Sequence, residues 1–457
     1  MSPSSPGGYM PTDGLTYDPN DAHYWDEAAL AKEVHRAFDI CHGCRMCFKY
    51  CDSFPKLFKF VDDAGEDDVT KLSRDQVDAV MDDCFQCKLC DVQCPYTPRE
   101  NHDFQLDFPK LVHRYKAVRT RKTKLPLRDR VLGDPDGAAR LARASLGIAN
   151  VMNRVSAHRW FMEKTLGIHR DKKLPPFAQT TFSAWAEREG LIQSAPGGEA
   201  VLFQTCYVEN NEPDIGRDTV EVLQRNQVDV RCSKGLNCCG MPAWESGDLD
   251  GLRAQARRNL DRLEPFVDAG AKVVVVNPTC SMMLRREYPE LVAEADRERA
   301  KKVAAATRDA GEFVWDLRKE DRFNEDFKTV PESIAYHAPC HLRAQSVGFR
   351  GRDLLRKAGV KKLGFVAECC GHDGTYGMKV ETFEASKRIG RKAFDGMKAP
   401  EAQVWATECP LAATQFEQHA GKKALHPMTI LARAYRGDPL PGQTSTFQEK
   451  ENDREES

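Results

Sequence analysis

Cys41-His-Gly-Cys44-Arg-Met-Cys47-Phe-Lys-Tyr-Cys51 and Cys84-Phe-Gln-Cys87-Lys-Leu-Cys90-Asp-Val-Gln-Cys94-Pro95 share one spacing, C-x2-C-x2-C-x3-C. Three thiolates two residues apart wrap one corner of a cubane within a single turning loop. The fourth reaches across to the other cluster. By that rule one [4Fe–4S] cluster takes Cys41, Cys44, Cys47 and Cys94, and the other takes Cys84, Cys87, Cys90 and Cys51. Structural zinc uses pairs of cysteines divided by a longer spacer and needs four ligands per ion, so this repeated run is denser than zinc requires.

Around these cysteines the pattern is helical. Leu30, Val34 and Phe38 recur at helical spacing over residues 25–40 before the first run, and residues 73–81 repeat the design before the second. With every cluster position filled, His42 is read as a hydrogen-bonding neighbour rather than a ligand.

The remaining cysteines form a repeat. Cys206, Cys239 and Cys280 recur as Cys340, Cys370 and Cys409 at offsets of 134, 131 and 129 residues, which indicates an internal duplication. Each copy alternates strand and helix, so parallel-sheet α/β units are expected. The cysteines follow strand ends, where the carboxyl edge of such a sheet offers a crevice for a ligand. Each copy converges four thiols: Cys206, Cys238, Cys239 and Cys280 in the first, and Cys340, Cys369, Cys370 and Cys409 in the second. One further iron–sulfur cluster per copy is the sharper reading; zinc in one degenerate copy is the other. Cys232 lies outside the pattern and reads as a buried free thiol.

The bulk properties exclude several classes. The chain has 457 residues, 67 Lys+Arg against 69 Asp+Glu, and 41% hydrophobic residues. That balance argues against a generally basic nucleic-acid binder and against wholesale disorder. No apolar run reaches membrane-spanning length, and the start has no charged-then-apolar signal pattern, so a cytoplasmic location is expected. In that compartment 17 cysteines are not a disulfide framework.

Two such runs followed by two Cys-Cys-Gly units resemble the heterodisulfide reductase-related iron–sulfur family of cysteine-rich CCG-domain proteins. Within it, the resemblance is to the type represented by the C subunit of anaerobic glycerol-3-phosphate dehydrogenase. It spans about residues 35–435 and includes Pro242, His337-Ala-Pro-Cys-His-Leu-Arg343 and Cys369-Cys-Gly-His-Asp-Gly374. The family's usual fifth thiol, a closing C-x-x-C, is missing here. Cys280 is followed by Ser-Met-Met and Cys409 by Pro-Leu-Ala, with His341 and His372 as candidate replacement ligands.

The expected fold is therefore multidomain α+β, with a helical bacterial-ferredoxin-type two-cluster domain followed by two α/β CCG modules. The expected boundaries are a disordered terminus (1–20), the two-cluster domain (21–135), a helical linker (136–198), modules at 199–325 and 326–436, and a disordered tail (437–457). A basic stretch over 111–131 reads as a solvated face or a docking site for an acidic partner or anionic lipid. Leu141, Ile148, Val151, Val155, Trp160 and Phe161 suggest amphipathic helices that pack over the adjacent domain or lie on a membrane.

Several clusters in one chain make a relay, and no flavin or nicotinamide fingerprint appears. The resemblance implies a non-catalytic electron-transfer subunit, with no catalytic residue. It would take electrons from a partner flavoprotein dehydrogenase, of glycerol-3-phosphate or 2-hydroxy-acid type, towards quinone or a membrane-associated acceptor. Its place would be peripheral, on the inner face of the cytoplasmic membrane through a partner. A thiol–disulfide reductase working at a C-terminal cluster and a structural metalloprotein scaffold are the alternatives.

Overall fold

A computed structural model describes residues 8–440 other than 66 and 194. The chain opens with five helices: α1 (Glu27–Cys44), α2 (Ser53–Ala64), α3 (Arg74–Asp82), α4 (Leu89–Gln93) and α5 (Phe108–Thr123). Their apolar residues recur every three or four positions, as in Phe54, Leu57, Phe58 and Val61 on α2, and these bury into one core. Asp26 caps α1, and a capping box of Ser73 with Gln76 starts α3.

Among the described residues no strand precedes Ala200. This corrects the expectation of a ferredoxin-type domain, which is a β-containing fold. The segments between the cysteine runs carry helical rather than alternating periodicity, so helices α2 and α3 fill the place where strands would pair.

Among the described residues seven parallel strands, with helices between them, build the two sheets that follow. β1 (Ala200–Phe203), β2 (Val230–Cys232), β3 (Lys272–Val275) and β4 (Thr307–Asp309) form a sheet in the order β2-β1-β3-β4. β5 (Ser333–His337), β6 (Lys362–Val366) and β7 (Val404–Thr407) form a second sheet in the order β6-β5-β7. The first strand of each unit is central, flanked by its second and third, so the duplication read from the cysteines is repeated in the topology. β4 and β6 carried no clear strand signal: β4 is three residues long, and most of β6 is not buried.

The sheets are not independent. One apolar core runs from Leu202 and Val274 of the first sheet to Tyr336 and Val404 of the second, joined by Met428, Leu431 and Tyr435. Each sheet has a second core on its other face. The core of the helical N-terminal region takes in Cys369 and Tyr376 of the second module.

Three other expectations change. Residues 8–20, read as part of a disordered terminus, are pinned down: Thr12 donates from backbone and hydroxyl to Glu33, and the fully buried Arg114 donates to the carbonyls of Gly14 and Tyr24 at 2.8 Å each. Residues 1–7 and 441–457 lie outside the described residues. The basic stretch is divided: Arg121, Lys122, Lys124 and Arg130 are exposed, and the others are buried or paired. Arg114 and Lys116 are buried, Arg119 pairs with Asp78 and Asp82, and Arg128 pairs with Glu381.

α6 (Leu127–Gly133) lies at the end of the expected two-cluster domain, and the segment expected to be a linker (136–198) includes α7 (Pro135–Ala144), α8 (Ile148–Met152) and α9 (Ser156–Leu166). Its named apolar side chains point outward, from Val155 at 40% exposed to Leu141 at 77%, so they do not pack over the neighbouring domain.

Two buried histidines give the fold an acid limit. His426 accepts the Met428 N–H on Nδ1 and lies 2.9 Å from the Val276 carbonyl through Nε2, and His113 stacks on Trp244. Burial lowers both to about 4. The unfolded chain binds these protons near pH 6.5, so the stability from neutral histidine is present above that pH and is lost as pH falls towards 4. At about 1.4 kcal/mol per pH unit, each costs about 2 kcal/mol by pH 5. Denaturant titration should therefore show the loss of stability between pH 7 and pH 5 shrinking by about that amount in His113→Gln.

Candidate metal centres

Both N-terminal runs use helix ends to turn their cysteines inward. Cys41 and Cys44 lie on the last turn of α1, and Arg45 then takes a left-handed φ of 55°. In the second run the residue after the second cysteine, Lys88, does the same at 59° before α4 carries Cys90. The thiols of Cys44, Cys47 and Cys94 all press electrostatically on Cys41. Cys51, reaching back from the first run, lies against Cys84 and Cys87, and Cys90 faces all three.

Two groups of four thiols result, with one cysteine exchanged between the runs. Burial, reinforced by neighbouring thiols, pushes Cys41, Cys51, Cys87 and Cys90 up, with Cys47 near 12 and Cys94 near 11. Thiols so placed become thiolates only against a cation, which is the chemistry of a metal or cluster site. The first group is half-exposed and the second is buried. His42 is buried and held by Asp62 at 2.9 Å, as a neighbour rather than a ligand.

In the repeated half the cysteines follow strand ends. Cys206 and Cys280 sit on short helices after β1 and β3; Cys340 and Cys409 start helices after β5 and β7. The Cys-Cys-Gly corners bring the other pair of thiols to the same edge. In the first module Cys238 is within hydrogen-bonding reach of Cys206 and Cys239, and Cys239 of Cys280. In the second, Cys340 faces Cys369 and Cys370, and Cys409 faces Cys370. Cys232 is buried on β2, apart from both groups.

Several contacts at these centres were not legible from spacing. Asp136 at the start of α7 accepts the Cys238 N–H at 2.7 Å and the Asn210 amide at 3.0 Å, so the supposed linker closes over the first module. Burial, then Cys238, raises its carboxyl to about 6. Lys116 donates to the Cys84 carbonyl at 2.8 Å, and the buried Lys172 stands near Cys370. Burial lowers the Lys172 amine to about 7. Buried cations beside thiolate centres offset their negative charge.

His341 is a junction rather than a free ligand. Nδ1 meets the Thr279 hydroxyl at 2.9 Å, next to Cys280, and Nε2 lies 3.0 Å from the Gln86 carbonyl, next to Cys87. His372 is buried with Nδ1 unpartnered. The second N-terminal group also adjoins the second module directly: Cys87 presses on Cys369 and on Cys340, and Cys369 on Cys51.

A family model described as a cysteine-rich domain, CCG, matches residues 200–285 and again 334–417. Lactate utilization protein A of Shouchella clausii is 32% identical over 186 residues, 39% of this chain and 74% of that protein. The chain belongs to the cysteine-rich CCG-domain family. The C subunit of anaerobic glycerol-3-phosphate dehydrogenase from Escherichia coli is 29% identical over 315 residues, 68% of this chain and 78% of that protein. The B subunit of fumarate reductase (CoM/CoB) from Methanothermobacter marburgensis is 26% identical over 252 residues, covering 53% and 47% of the two chains. The matched CCG segments carry the eight cysteines of the two modules; the N-terminal runs lie outside them.

The glycine of the second CCG corner is fixed by space as well as by conformation. Gly371 has φ +76°, and a Cβ there would stand 2.0 Å from the Ser386 carbonyl oxygen. Gly147, at φ +93°, has nothing within 4 Å of that position. Gly371→Ala should leave little soluble, protease-resistant second module, whereas Gly147→Ala should cost only about 1–2 kcal/mol for the left-handed backbone. Limited proteolysis with mass spectrometry separates the two.

Proposed function

We propose that this chain is an electron-transfer protein holding two [4Fe–4S] clusters on the N-terminal runs and an iron–sulfur centre in each CCG module. Cys41, Cys44, Cys47 and Cys94 would hold the first cluster, and Cys84, Cys87, Cys90 and Cys51 the second. The observation that carries this reading is the adjacency of the second N-terminal thiol group to Cys340 and Cys369. Centres held in contact like this pass electrons one at a time, and burial and hydrogen bonds tune their potentials. The hard two-electron chemistry belongs to a cofactor on another subunit.

The first thiol group supports an entry point. It is half-exposed, and Met46 and Phe48 project from its loop at 44% and 62% exposure. A partner flavoprotein dehydrogenase, of glycerol-3-phosphate or 2-hydroxy-acid type, would dock there. From the second N-terminal cluster the path continues into the second module.

The acceptor side rests on α6–α9. Leu127, Leu141, Leu146, Ile148, Val151, Trp160 and Phe161 are all at least half exposed, with the exposed Arg130, Arg140, Arg154 and Lys164 among them. No helix among the described residues is long and apolar enough to cross a membrane. Exposed apolar side chains interspersed with cations suit the surface of an anionic bilayer, where a quinone acceptor resides. Trp160→Ser with Phe161→Ser should lower the share of protein floating with anionic vesicles about tenfold or more, since each aromatic brings roughly 1.5–3 kcal/mol of burial.

Iron, sulfide and zinc analysis of anaerobic protein, combined with electron paramagnetic resonance during a redox titration, tests the relay. About 12 to 16 irons, with reversible signals beyond those of two cubanes, are expected. Cys239→Ser and Cys370→Ser should each remove iron from one module and leave the N-terminal signals intact. An unchanged iron count in both would remove the C-terminal centres from the proposal.

A further inference from the structure

Asp373 lies three residues beyond Cys370, at the foot of the second CCG corner, with its side chain only 4% exposed. Its Oδ2 stands 3.5 Å from Cys340 Sγ and 3.4 Å from His341 Nε2, and these three ligand atoms all lie within 4.8 Å of one another. Its other hydrogen bond comes from the backbone of Gly374. Asp373 thus joins a buried carboxylate to the thiols of the second module.

We infer that Asp373 is a non-thiolate ligand of the second module's metal centre, sharing one metal atom with Cys340. The inference rests on the reading that this module holds an iron–sulfur centre.

The separation supports it. Thiolate sulfur and carboxylate oxygen stand about 2.3 Å and 2.0–2.2 Å from a first-row metal such as zinc, so at a tetrahedral angle they are about 3.5 Å apart. Charge supports it too. Once Cys340 is a thiolate it has no proton to donate, and a carboxylate 3.5 Å away in a buried site repels it unless the carboxyl holds a proton or a cation lies between them. His341 does not fill that role, because its Nε2 is committed to the Gln86 carbonyl at 3.0 Å.

The first module provides the contrast. Pro242 and Tyr207 occupy the positions corresponding to Asp373 and His341. Its nearby carboxylate, Asp136, has each oxygen engaged by an N–H donor. The two modules should therefore hold spectroscopically different centres.

The test is Mössbauer spectroscopy on the full chain reconstituted anaerobically with 57Fe, comparing wild type, Asp373→Ala, Asp373→Cys and Cys370→Ser. Oxygen ligation raises the isomer shift of one iron above that of thiolate-bound iron, a change that a merely neighbouring charge does not produce. We expect one such iron in the wild type. It should disappear in Asp373→Ala and become thiolate-like, with the iron retained, in Asp373→Cys, while the N-terminal spectra stay unchanged. If Cys370→Ser loses iron but Asp373→Cys keeps the wild-type spectrum, the ligand assignment is wrong and the centre stands. If Cys370→Ser keeps the wild-type iron count, the centre itself is absent and the assignment falls with it.

Discussion

Burying thiols in groups of four is the constraint around which this protein is arranged. A single buried cysteine behaves as a small apolar side chain, as Cys232 does on β2. Four together are different: burial discourages each from ionising, and the neighbouring thiols add to the effect, as they do for Cys41, Cys51, Cys87 and Cys90. Such a group is useful only if a multivalent cation or cluster compensates it. The surrounding fold supplies strand ends, short helices and left-handed corners that aim the sulfurs at one point, and buried lysines that temper the charge.

The contacts between groups matter as much as the groups. Cys51 and Cys94 are exchanged between the two N-terminal runs, so neither run closes its site alone. His341 then ties together the backbone beside Cys87, the hydroxyl beside Cys280 and the helix that begins with Cys340. One imidazole thus touches segments from the N-terminal region and both modules. A relay needs this rigidity, because transfer between centres depends on their separation staying fixed.

The duplicated half illustrates how a repeated fold takes on unequal duties. Both sheets place their first strand centrally and carry cysteines beyond the strand ends, yet it is the second module whose cysteines, Cys340 and Cys369, meet Cys87 of the N-terminal region. The first module is instead closed by α7 through Asp136. Equivalent edges of equivalent sheets therefore meet different neighbours, and the side chains beside the cysteines differ accordingly.

The spacing of the cysteines, the internal repeat and the helical periodicity around the first runs are local properties, and they were legible residue by residue. The strand-and-helix alternation of the CCG modules was readable for the same reason: β1, β3, β5 and β7 are largely buried runs with a strong apolar signature. What stands around those elements was decided in three dimensions. Whether Arg114 and Lys116 face water or core depends on which chain segments cross α5. Whether α6–α9 cover a neighbour or stay bare depends on shape rather than on amphipathicity. Asp373 looks like any acid in a glycine-rich turn until the fold of the second module brings its carboxylate to Cys340. Sequence by itself determined how the cysteines are spaced and repeated along the chain, because residue type and spacing are covalent. Only the tertiary structure decided which groups touch, because burial and distance are properties of the packed chain.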